Sequence, residues 1–396
     1  FSASMNDDSS LNAIGTFDQA DVEASLDAMW NALVASGSTW PGTAEPKFVP
    51  FGEVNSSVGV YVSSNNTNTI FNALRLGERL SDGSPRYPFP QSGRFSDGSP
   101  RPRPNASTSD ALWRDYISHV KSKSGPYKKR YGYRTLMDYF QERRYGRAQA
   151  EDLWRTPHYP YHAIKEGASL FLDFLTQLDF GDEVGLVSYG AYAVKEWTHD
   201  DGEVSIDIRS NPITNDYAVI DEIQRRHQAG DYDGWTGMGD GILNARELLT
   251  GLDADPNDHG YARYGARPTM IIMTDGQTNQ GPPGWSLPGN FRWADWTDYD
   301  GDGNADYATG DWKKQYAFWE ATRAIDRGVT LHTLAVGSGA DRDLMRAIAF
   351  AGGGKYIDVP GGAQITDVQA QLVDAFRQIA AKVPPPKLVY AAPPAP

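Results

Sequence analysis

The chain has 396 residues, 40 per cent hydrophobic and 22 per cent charged, enough for one large α/β domain with insertions or two ordinary domains, which excludes a disulfide-stapled miniprotein. Its 51 acidic and 37 basic side chains leave a formal net charge of -14, which argues against a general nucleic-acid binder. The absence of cysteine excludes disulfides, thiolate metal sites and cysteine nucleophiles without fixing the compartment, and no stretch reaches the roughly 20 apolar residues of a membrane span.

Residues 1–35 open with Phe1-Ser2-Ala3-Ser4-Met5, neither an initiator methionine nor a signal peptide, so the chain reads as a processed or incomplete piece of a longer product. A helical pattern spans Val22 to Leu33. Residues 36–157 read as an inserted subdomain: Ser81-Asp82-Gly83-Ser84-Pro85-Arg86 is nearly repeated at Ser96-Asp97-Gly98-Ser99-Pro100-Arg101, and such Pro- and Gly-rich stretches are neither helix nor central strand. Helical fragments are predicted near Leu112 to Val120 and Thr135 to Tyr145. From 158 to 381 the pattern alternates. Ile164 to Leu178 recurs at helical spacing, Gly181-Asp182 turns, and Val184 to Tyr189 is an apolar run of buried-strand type. A hairpin-like stretch from Trp197 to Ile208 turns at Asp200-Asp201-Gly202. Helices follow at 215–228 and 242–249, then a strand at Thr269 to Thr274, a helix at 312–325, a strand at 329–336, a helix at 341–350, a short strand at 355–359 and a last helix at 366–381. Residues 382–396 form a Pro-rich tail. Strands alternating with helices in this way predict an open, mostly parallel sheet covered on both faces, with ligands at the carboxyl ends of its strands.

Three polar pieces fall at that edge: Ser2-Ala3-Ser4-Met5, the Gly-rich loop Gly234-Trp235-Thr236-Gly237-Met238-Gly239-Asp240-Gly241, and Asp275-Gly276 closing the strand at Thr269. Hydroxyls and a carboxylate are hard oxygen ligands that suit Mg²⁺ or Mn²⁺. Each piece alone also reads as a polar terminus, a helix cap or a turn. In this order, and with Asp182-Glu183-Val184-Gly185-Leu186-Val187 and Val329-Thr330-Leu331-His332-Thr333-Leu334-Ala335-Val336-Gly337, the sequence resembles the von Willebrand factor type A family. The resemblance covers roughly Tyr159 to Ala381 plus the first few residues. It implies a Rossmann-like α/β fold and a metal-ion-dependent adhesion site. Ser2 and Ser4 would coordinate the ion directly, Thr236 directly or through water, and Asp275 mainly through water. The family's first Asp would fall immediately before Phe1, on a strand in the middle of the sheet. The closing Gly-Val-Thr-Leu-His-Thr-Leu-Ala-Val-Gly stretch and the long insertion look like bacterial surface and pilus-assembly members of the Flp/Tad type, secreted or anchored by an upstream membrane or signal segment.

A second metal signal lies between the strand at Thr269 and the helix at Trp312. Asp298, Asp300, Asp302 and Asp306 occupy positions 1, 3, 5 and 9 of a loop with Gly303 at position 6 and Asn304 at position 7, similar to a calcium loop of the EF-hand or dockerin kind. Position 12 is Thr309 rather than Glu, which implies weaker binding or a further ligand such as Asp311. An acidic turn is the alternative, but four carboxylates in nine residues repel one another without a cation.

The window Arg114 to Arg147 holds ten basic and three acidic side chains among Tyr127, Tyr131, Tyr133, Tyr139 and Tyr145. Basic residues among aromatics could bind polysaccharide or nucleic acid, but a surface docked on the protein's own acidic regions is the favoured reading. No enzyme motif is present: Gly354-Lys355 runs into Tyr356 rather than Ser or Thr, there is no His-Glu-x-x-His, and Gly337-Ser338-Gly339 lacks the nucleophile elbow. The expected function is metal-dependent protein interaction or adhesion, without catalysis, in an extracellular or surface assembly, the periplasm being an alternative. The expected partner is a protein supplying a carboxylate to the metal. A structural subunit whose metals only stabilise the fold, and a carbohydrate-active or hydrolytic enzyme, are the other readings.

Overall fold

The computed structural model describes residues 59–79, 81, 83, 106–123, 127–132, 135, 136, 139, 161–200, 204–227, 235–255, 257–337, 339–359, 370, 371, 374 and 377–379, without the side chains of 106–109, 162 and 163. Ser2, Ser4, the helix expected at 22–33, the repeat around Ser96 and the Pro-rich tail lie outside the described residues.

In the first part, β1 (Val60–Tyr61) pairs antiparallel with β2 (Arg130–Tyr131), next to α1 (Thr67–Ala73) and α2 (Ala106–Ser122). Asn66 caps α1 by accepting the amides of Asn68 and Thr69 at 2.9 and 3.1 Å, because those first-turn N–H groups have no carbonyl partner in the helix. Trp113, Tyr131 and Tyr139 all meet Tyr116 edge-on, with ring centroids 5.7, 6.0 and 5.7 Å away, and all four are buried. This answers one expectation. Tyr127, Tyr131 and Tyr139 of the basic window are core residues, and burial pushes the Tyr131 phenol up to about 12, so these rings are not a platform for sugars or bases.

The second part begins with α3 (Tyr161–Leu178). Two antiparallel ribbons follow, β3 (Val187–Tyr189) with β4 (Ala193–Lys195) and β5 (Thr198–Asp200) with β6 (Ser205–Asp207). Then come α4 (Tyr217–Arg226), α5 (Met238–Thr250), β7 (Thr269–Thr274), the short α6 (Ala294–Thr297), α7 (Trp312–Asp326), β8 (Thr330–Val336), α8 (Arg342–Ala351) and β9 (Gly353–Val359). β7, β8 and β9 form a parallel sheet in that order, running from Thr269 opposite Thr330 to Val336 opposite Val359. This is an α/β fold. Its core joins Met238 and Ile242 of α5, Met270 and Ile272 of β7, Phe318 and Ala321 of α7, and Leu344, Met345 and Ile348 of α8. Each such aliphatic side chain taken out of water stabilises the fold by about 1.5–3 kcal/mol.

The helix and strand periodicities of the second half match these elements, with one difference. Val184 to Tyr189, expected as a fully buried strand, is half-buried throughout, and only its last three residues form a strand, paired with the unexpected β4. Among the described residues no strand ladder lies between β3 and β7; the two are linked by the Tyr189 hydroxyl, which donates to the Met273 carbonyl. Among the described residues no helix is long and apolar enough to cross a membrane.

Candidate metal centre

The loops that leave β3 and β7 and the loop that enters α5 meet at the carboxyl end of the sheet, where backbone hydrogen bonds hold them together. The Gly237 amide donates to the Gly190 carbonyl at 2.7 Å, tying the α5 loop to the β3–β4 turn. The Thr236 carbonyl accepts the amides of Asn279 and Gln280 at 3.1 and 3.3 Å, and the Thr236 amide donates to the Asn279 side-chain oxygen at 2.7 Å. Glycine lets these loops approach closely where they cross. A Cβ on Gly276 would lie 2.8 Å from the Thr236 hydroxyl oxygen, and one on Gly339 would lie 2.7 Å from the Asp275 carbonyl. Thr236 and Asp275, far apart in sequence, are therefore brought together beside Gly276.

The start of α5 shows the same steric logic. Cβ atoms on Gly239 and Gly241 would come within 2.4 and 2.6 Å of the Tyr316 and Tyr189 rings, so alternate glycines let one aromatic ring press on each side of the helix. Tyr316 donates to Asp240 at 3.0 Å, joining α7 to α5. Lys314 lies between Gln277 and the buried Asp341 at 2.8 and 3.1 Å, while the Gln277 amide reaches the carbonyls of Gly339 and Ala340. Asp240, Gln277, Lys314 and Asp341 were not singled out from sequence; only the position of Asp240 inside the Gly-rich loop could have pointed to it.

Burial raises the Asp275 carboxyl above its usual range and outweighs the hydrogen bond from its own backbone amide, and among the described residues it pairs with no basic side chain. The Thr236 hydroxyl, half-buried beside Gly276, makes no hydrogen bond among the described residues. A desolvated carboxylate and a hydroxyl without protein partners suit a hard divalent cation that keeps part of its water. The donor set fits the implied ion. Thr236 and Asp275 would hold it, and Ser2 and Ser4 lie outside the described residues.

In the acidic loop, Asp298, Asp300 and Asp306 place carboxylate oxygens within 4.8 Å of one another. Asp298 accepts the amides of Gly301 at 2.7 Å and Gly303 at 2.8 Å, and Gly303 takes φ of 85°, a left-handed conformation that a side chain would strain. Of the four expected acids, Asp302 is the one outside this group. Hydrogen bonds from the Asn304 side chain and from the Asn304 backbone amide, the latter at 2.7 Å, hold the Asp302 carboxyl below its usual range. The loop follows an aromatic cover in which Phe291, Trp293 and Tyr307 surround Phe318, with Trp293 4.8 Å from it between centroids.

No protein-family model matches the sequence, and no curated protein is significantly similar to it. Among solved structures the chain is similar to a von Willebrand factor type A protein from Catenulispora acidiphila, at 16% identity and a TM-score of 0.34 over 56% of this chain and 38% of that one. Its structural matches are of the von Willebrand factor type A kind. The pilus adhesin SpaC from Lactobacillus rhamnosus GG matches at 18% identity and a TM-score of 0.33, covering 56% of this chain and 28% of that one. The von Willebrand factor domain of the type V pili tip protein Mfa5 from Porphyromonas gingivalis matches at 15% identity and 0.33, over 58% and 91%. The chain thus spans well under half of the first two structures. At these values no ligand, partner or site residue carries over from them.

Proposed function

We propose that the chain is a metal-dependent protein-binding module of an extracellular or cell-surface assembly, and that it is not an enzyme. One observation carries the proposal: the Thr236 hydroxyl lies against Gly276, the chain neighbour of the desolvated Asp275, at the carboxyl end of the sheet. A bound Mg²⁺ or Mn²⁺ would neutralise Asp275 and offer an open position to a partner's carboxylate. Thr236 presents its hydroxyl because Asn279 fixes its backbone, and Gly276 leaves the space beside it clear. Gln277 and Lys314 brace the neighbouring loop, so the acceptor geometry exists before an ion arrives. We further propose that Asp298, Asp300 and Asp306 hold Ca²⁺ as a stabilising ion, separate from partner binding.

The test is Asp275→Ala in the full-length protein displayed on its own cells. Chelator-sensitive attachment should disappear while the thermal midpoint in EDTA is kept. Loss of folding in EDTA would instead favour a metal-independent structural role for Asp275, and attachment that persists would defeat the proposal.

A further inference from the structure

We infer that the ligand of the Thr236–Asp275 site is an acidic protein loop whose carboxylate is flanked by apolar side chains, and that Trp235, Trp312 and Tyr192 recognise those flanks. This rests on the metal-binding reading above and adds the class of partner.

Trp235 and Trp312 are the two exposed tryptophans among the described residues, and both lie at this one site. Trp235 directly precedes Thr236. Trp312 stands against Gly281, where a Cβ would lie 3.1 Å from its ring, and Gln280 next to it bonds the Thr236 carbonyl. Tyr192, 52% exposed, sits in the β3–β4 turn, where its carbonyl accepts the Gly190 amide at 2.9 Å and Gly190 in turn accepts Gly237. Trp235 and Tyr192 thus stand on two loops joined through Gly237 and Gly190, and Trp312 opens α7 against Gly281, next to the residue that bonds the Thr236 carbonyl. Exposed tryptophan is uncommon on a surface with no partner, and Trp and Tyr are the side chains that most often anchor protein interfaces.

Charge narrows the choice of ligand. A cation held by one carboxylate asks for an anionic group, yet the chain carries -14, so a polyanion such as a polyuronate or nucleic acid is repelled over a Debye length. Lys314 is engaged by Gln277 and Asp341 and is not offered to a sulfate or phosphate. A peptide with one carboxylate between apolar neighbours meets both demands at small electrostatic cost.

The experiment compares acetyl-Phe-Asp-Leu-amide, acetyl-Gly-Asp-Gly-amide and trigalacturonate as ligands of the full chain in Mg²⁺, with Mg²⁺ affinity measured separately without ligand. The apolar-flanked peptide should bind at least about tenfold more tightly than the glycine-flanked one, as burial of two large side chains requires. Trp235→Ala should cut that preference to about twofold or less and leave Mg²⁺ affinity unchanged. Tyr192→Ser, in a separate loop, gives an independent second variant should the first misfold. Equal binding of the two peptides with Mg²⁺ bound would overturn this inference alone, and tighter trigalacturonate binding would reassign the rings to an acidic sugar. Failure to bind Mg²⁺ at all would remove the underlying reading, and this one with it.

Discussion

Single atoms decide much of the site. Alanine normally stabilises a helix by about 1 kcal/mol over glycine, but at Gly239 the new methyl would meet the Tyr316 ring at 2.4 Å. That ring is buried and bonded to Asp240, so it cannot swing away. Overpacking wins. Gly239→Ala should destabilise the protein by about 1–3 kcal/mol, read from the shift of its urea midpoint. Gly276→Ala should act differently: its methyl would touch only Thr236, so divalent-ion affinity should fall while the urea midpoint stays within about 0.5 kcal/mol. The Asp275 carboxyl, raised by burial, is easier to ionise in the unfolded chain, so its charge opposes folding once the pH passes its unfolded pKa. Asp275→Asn should therefore leave the metal-free protein at neutral pH as stable as the wild type or more so, by thermal melting in EDTA.

Elements are joined by charge as well as by apolar packing. Arg246 of α5 is fully buried and pairs with Asp253 at 2.7 Å and with Glu320 of α7 at 3.1 Å; Arg323 and Arg327 also reach Asp253. Burial pushes the Asp253 carboxyl up, but Arg246, Arg323 and Arg327 together outweigh it and hold the pKa below the usual range. A carboxylate lowered on folding contributes stability that is fully present above its unfolded pKa of about 3.9 and is lost as the pH falls through the folded value. Asp253→Asn should flatten the loss of stability below about pH 4, and Asp253→Ala should cost about 3 kcal/mol at pH 7 by leaving Arg246 short of a partner. An acid titration followed by circular dichroism checks both. These links were not legible in the sequence, because Arg246, Asp253 and Glu320 lie on elements whose packing no local pattern reveals. The elements themselves were legible: the period of Tyr161–Leu178 and the apolar runs at Thr269 and Thr330 depend only on neighbours along the chain. Val184 to Tyr189 misled for the reverse reason, since its burial depends on what lies beside it in the sheet.

At the scale of the whole molecule, one segment connects the two candidate ion sites. It leaves β7 at Asp275, carries the paired rings of Phe291 and Trp293, turns through the acidic loop and enters α7 at Asp311, which caps that helix through the Lys313 amide at 3.0 Å. If calcium neutralises Asp298, Asp300 and Asp306, binding to the folded state alone should protect this segment by mass action. Proteolysis near Asp302 should then be at least several-fold faster with chelator than with Ca²⁺, and equal rates would reject the calcium assignment. The spacing of the acids was readable in advance, but the turning of Asp302 toward Asn304 was not, because it depends on which backbone amides the folded loop exposes. The central claim concerns the other site, and titration calorimetry with Mn²⁺ tests it most directly, on wild type and on Asp275→Asn in the presence of saturating Ca²⁺. Wild type should bind one further ion, and the variant should bind it at least about tenfold more weakly with a thermal midpoint in EDTA no lower than that of the wild type. Equal Mn²⁺ affinity in the two proteins would contradict the account.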